Sequence, residues 1–214
     1  MLRVLAGSCP HPLVINTVMK TAHSDALTPQ EIAAVLRAAG EGRHGVRDHA
    51  MLLTLYHHGL RVSELCRLTL PDLDLEGRRL WVERLNRGRS GAHPVPEDEA
   101  QALSAYLAER EDQGTLNLPA LFLNERRATL SRNAVYYLVR RAGEAAGLAR
   151  PLFPHLLRRS TGSKLVGERH DVRLVQDYLG LRSARSVLRF VGEAPPEDPN
   201  AERFTALWGE AGGG

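Results

Sequence analysis

Apolar residues recur at helical spacing through most of the chain, and strand-like alternation appears in one short stretch. Ile32, Val35, Leu36 and Ala39 fall on one helical face. Thr28-Pro29-Gln30-Glu31 supplies a capping box with proline at the first helical position, and Gly40 supplies the stop. A second helix, from about Val46 to His57, is nearly all apolar and belongs in the core. Gly59 interrupts it, and a third segment starts at Arg61 and carries Leu65, Cys66 and Leu68. Leu70–Asp74 reads as a turn. Arg79–Arg84 alternates, with Leu80 and Val82 as apolar markers and Trp81 as a third candidate. Arg87–Gly91 reads as a hairpin loop, and Ala92–Val95 as the returning strand, closed by Pro96.

Further helices are expected from Pro96 to about Arg110, over Arg132–Ala146, from Pro154 to Val166, over Asp171–Leu179 and over Ser183–Val191. Ser131 is the expected cap of the Arg132 helix, whose inward residues are Val135, Leu138, Val139 and Ala142. Tyr136-Tyr137 is expected to place one ring in the core and the other in water. Leu121-Phe122-Leu123 reads as a short buried strand. Residues 1–26 have no steady period and read as an extended, partly mobile arm. The main domain spans 27–191, and an acidic, proline-rich linker spans 192–200. A C-terminal helix and tail over 201–214 carry Phe204, Leu207 and Trp208 on one side. The fold class is mostly α with a small antiparallel β-sheet.

At 214 residues, 43% apolar and 25% charged, the chain can bury one real core. A net charge of +3 leans toward an anionic partner. Lys20 and Lys164 are the only lysines, and arginine forks suit phosphate, although a GC-rich genome gives the same bias. Cys9 and Cys66 are expected reduced and intracellular. Cys66 with His57 and His58 lacks a fourth metal ligand, so it reads as a core thiol beside surface imidazoles. Neither a metal nor another cofactor is expected. The apolar start is too short for a secretory signal, and no run approaches membrane-spanning length. The expected location is the bacterial cytoplasm, with the nucleoid.

His155 and Arg158 stand three apart and share a helical face, where they can grip one phosphate. Arg61 sits at a helix start, where free N–H groups favour anions. Each signal alone is weak, since such residues are commonly solvated surface. Their order carries more. Gly59-Leu60-Arg61-Val62-Ser63-Glu64-Leu65 comes first, then a hairpin. Pro154-His155-Leu156-Leu157-Arg158 and Gln176-Asp177-Tyr178-Leu179-Gly180 follow. This series resembles the catalytic domain of the tyrosine recombinases, or phage integrase family. It is most like the small bacterial inversion recombinases that switch fimbriae. The likeness runs from about Leu27 to Trp208 and includes Asp72-Leu73-Asp74-Leu75, His93-Pro94 and Leu130-Ser131-Arg132.

The resemblance implies the recombinase catalytic-domain fold and a double-stranded DNA partner. It makes Arg61, His155 and Arg158 ligands of the scissile phosphate, with Arg87, Arg89, Arg132 and Arg159 as further phosphate contacts. It makes Phe204, Leu207 and Trp208 a contact between subunits of a homo-oligomer on DNA. Where the family has a general-acid lysine this chain has Asn86, and the adjacent Arg87 does not release a proton near neutral pH. Where the family has histidine or tryptophan, it has Leu181. Where the family has the nucleophilic tyrosine, it has Phe190, and no tyrosine follows Tyr178. What binds phosphate is kept; what moves protons or attacks phosphorus is gone. Residues 1–26 are also too few for the family's separate front domain, so a one-sided, salt-sensitive grip is expected. The expectation is a site-specific DNA-binding protein that neither cuts nor joins, acting as a transcriptional regulator or as an accessory or antagonist of an active recombinase. The alternative is an active recombinase whose nucleophile was changed to Phe190 by engineering.

Overall fold

A computed structural model describes residues 26–85 and 88–190. The expected arm up to residue 25, Asn86, Arg87 and everything from Val191 onward lie outside the described residues. That includes the linker and Phe204, Leu207 and Trp208.

Thr28 caps α1 (Pro29–Gly40): its hydroxyl accepts the Glu31 N–H at 3.2 Å, and the Glu31 carboxylate accepts the Thr28 N–H at 2.8 Å. The apolar run predicts a core helix, and α2 (Gly45–His57) buries every residue from Ala50 to Leu55. The short α3 (Val62–Leu65) follows Gly59, whose φ of +53° suits glycine; a Cβ there would come within 2.6 Å of Leu179. α4 (Glu97–Asp112), α5 (Arg132–Ala145) and α6 (Pro154–Gly167) complete one continuous core with α1 and α2. α7 (Val172–Tyr178) and a 3-10 helix over Ala184–Phe190 lie against α6 around a smaller cluster of Val175, Leu179 and Val187.

Several expectations need correction. The turn after Leu70 is a 3-10 helix over Leu70–Asp72, and Leu73–Asp74 then forms a strand, β1. It pairs antiparallel with β2 (Arg79–Val82), which pairs with β3 (Gly91–Pro94), so the hairpin becomes a three-stranded sheet. Leu80 and Val82 face inward, so the two-residue period turns Trp81 outward, 51% exposed. Leu121-Phe122-Leu123 is buried but forms no strand; only isolated bridges, Thr69 with Ala120 and Leu123 with Thr129, flank it. The Ser183 segment is 3-10 helical. Tyr136 and Tyr137 are both exposed, because Val135, Val139 and Ala142 already fill the inward stripe of α5. His58 is not a surface imidazole: it is fully buried and meets the buried Glu99 of α4 at 3.1 Å. His57 is largely covered beside Asp98 at 3.4 Å.

Candidate nucleic-acid interface

Pro154 starts α6 after the extended Phe153, which brings His155 to the first turn and Arg158 one turn below it. The Gly59 turn sets Arg61 at the cap position of α3. These separate stretches meet in one open cleft of about 370 Å3, lined by Arg61, Ser63, Arg132, Tyr136, His155 and Arg158. His155 is exposed and its ring stacks on Phe153 at 5.6 Å, whereas Arg158 is only 9% exposed.

Behind the cleft lies a buried carboxylate, Glu64. Its Oε1 accepts Arg61 Nη1–H at 2.6 Å and the Leu85 N–H at 3.2 Å. Its Oε2 accepts Arg84 Nη1–H at 2.8 Å and the Arg61 N–H at 2.9 Å, with Arg158 Nη1 at 3.9 Å. Burial would raise the Glu64 carboxyl, but the Arg61 main-chain bond and the charge of Arg84 outweigh it and hold it below the usual range. Three successive carbonyls at the end of α7 take the other ends of the guanidiniums. Tyr178 O accepts from Arg84, Leu179 O from Arg158, and Gly180 O from Arg61 at 3.2 Å. Arg158 also donates to Gly59 O. Burial, then the like charges of Arg61 and Arg84, pull Arg158 down to about 9, so it remains a cation at neutral pH.

Arg61, His155, Arg158 and Arg132 thus converge. Of the other expected residues, none of those described lines this cleft. Arg89 is exposed on the hairpin and pairs with Asp177 at 3.2 Å. Arg159 is half-buried. Leu181 packs against the smaller cluster, and its N–H donates to Gln176 O at 2.9 Å. Phe190 is half-buried with its ring against the bare Cα of Gly162, and its carbonyl accepts from Ser163 Oγ at 3.1 Å. Sequence reasoning missed Glu64 and Arg84. Arg84 had a signal, because the two-residue period that turns Leu80 and Val82 inward continues to it. Among the described residues no group of His, Cys, Asp and Glu is placed to hold a metal ion.

The model of the Phage integrase family matches residues 25–195. The chain belongs to the phage integrase family. It is 38% identical over 183 residues to the Type 1 fimbriae regulatory protein FimE of Escherichia coli strain K12, covering 85% of this chain and 89% of that one. The crystal structure of XerA recombinase superposes with a TM-score of 0.71 at 24% identity, over 86% of this chain and 64% of that one. The Tn1549 transposon integrase in complex with circular intermediate DNA gives 0.63 at 19%, over 85% of this chain and 66% of that one. The fold is that of these recombinase catalytic domains.

Proposed function

We propose that this chain is a site-specific duplex-DNA-binding protein that holds a backbone phosphate in the arginine-lined cleft and does not break it. The carrying observation is the convergence of Arg61, Arg132, His155 and Arg158 on one open cleft. The guanidiniums of Arg61 and Arg158 and the imidazole of His155 give several charge-assisted donors for one phosphodiester, with Arg132 beside them. The DNA complex of the fold-related Tn1549 integrase supports a DNA partner, and the regulatory role in FimE's name supports a regulator. Non-cleavage rests on the residues present. Phe190 has no oxygen with which to form a covalent intermediate. Asn86 in place of a general acid would cost a further ~100- to 10,000-fold. On DNA the chain acts as a homo-oligomer or beside an active recombinase, where avidity strengthens a one-sided grip.

A nicked duplex that traps cleaved strands tests this. The chain should bind it and form no covalent adduct, and Phe190→Tyr alone should not restore one. An adduct from Phe190→Tyr favours the reading as a disabled recombinase.

A further inference from the structure

One buried cation behind the cleft does not reach into it. The Arg84 side chain is fully buried, does not line the cleft, and its Nε has no hydrogen-bond partner. Its two terminal amines are committed: Nη1 to Glu64, Nη2 to His58 O at 2.7 Å and to Tyr178 O. It is therefore no ligand for DNA. What it does follows from the charge count around Glu64. One carboxylate faces three guanidiniums, which leaves two positive charges uncompensated. Without Arg84, the same carboxylate would spend its charge on Arg61 and Arg158 alone. Arg158 Nη1, now 3.9 Å from Oε2, would have a vacated lone pair to collapse onto. The two cleft arginines would then turn inward and carry half the free charge.

We propose that Arg84 is a positioning residue of the anion cleft: it occupies Glu64 and so keeps Arg61 and Arg158 available to the ligand. Its bonds to His58 O and Tyr178 O also fasten the segment after β2 to the ends of α2 and α7, and the two carbonyls after Tyr178 accept from Arg158 and Arg61. The inference rests on the anion-binding reading of the cleft.

The test uses the full chain, two probes and two variants. The probes are a random-sequence duplex and inorganic phosphate, the latter read as thermal stabilisation. The variants are Arg84→Met and the neutral pair Arg84→Met with Glu64→Gln. Arg84→Met should weaken duplex binding about tenfold and abolish the phosphate effect. The slope of log affinity against log salt should become shallower than the parent's, because Arg61 and Arg158 turned onto Glu64 neutralise fewer phosphates. Adding Glu64→Gln restores two free charges and should return duplex affinity to within about threefold of the parent. A merely structural bond would not be repaired by deleting its partner. A folded Arg84→Met that binds both probes like the parent overturns the proposal. If Arg84→Met alone does not fold, the pair decides: a folded, binding pair supports the proposal, and a pair that is unfolded or does not bind overturns it. Phosphate binding by the parent without duplex binding at any salt defeats the DNA reading, while the phosphate probe still judges Arg84. A parent that binds neither probe defeats both.

Discussion

Glu64 and the arginines around it hold opposite obligations. A buried carboxylate is tolerated only when its lone pairs are filled, and buried guanidiniums only when their charge is met. Arg61, Arg84 and Arg158 satisfy Glu64 together, and Glu64 is the nearest negative charge to all three. Replacing Glu64 with Ala leaves three cations facing one another behind the cleft. It should cost about 3–5 kcal/mol of stability in urea unfolding. A midpoint unchanged from the parent would contradict the network. The exposures also separate the arginines' duties. The Arg61 side chain is 29% exposed and that of Arg158 only 10%, so Arg61→Ala should affect binding first and Arg158→Ala both binding and stability.

At the scale of elements, the contact between α6 and the 3-10 helix depends on Gly162. A Cβ there would sit 2.6 Å from the Phe190 ring. Gly162→Ala should destabilise the chain by about 1–3 kcal/mol through overpacking. Phe190→Ala in the same chain should relieve part of this, so the pair costs less than the sum in thermal unfolding. Additive losses would mean the ring does not rest on Gly162. Elements with local signals were the legible ones. The Thr28 box, the Ser131 cap and the apolar run of α2 name their helices without help. β1 did not show, because two residues carry no period and only pairing with β2 makes them a strand. The Ser183 segment carries helical spacing, yet it closes as 3-10 turns against α6 and α7.

At the scale of the molecule, the cleft was half legible. Arg61, His155 and Arg158 stand in motifs whose order announces the family. Glu64 becomes visible only when α3 and the segment after β2 are folded together. Arg84 had only the continued two-residue period of Leu80 and Val82 to mark it, since a lone strand-end arginine looks solvated. The buried imidazoles belong here too. The His93 ring on β3 meets His58 edge-on and Tyr178 at a tilt, with centroids 5.4 and 4.2 Å apart. Burial, then the charge of Arg84, pushes His93 down to about 3. Folding therefore excludes a proton that the unfolded chain binds below about pH 6.5. Stability from this group is full above that pH and falls as pH drops toward 3, by about 2 kcal/mol between pH 7 and 5. Thermal unfolding of His93→Phe should show a shallower acid loss than the parent; equal slopes would contradict a neutral, buried His93.

The central claim is that the cleft arginines neutralise DNA phosphates. It is tested most directly by duplex affinity as a function of salt for the parent, Arg61→Ala and Arg158→Ala. The account predicts a steep fall of affinity with salt and a slope smaller by about 0.9 in each variant. A flat salt response in the parent, or variants with the parental slope and affinity, would contradict it.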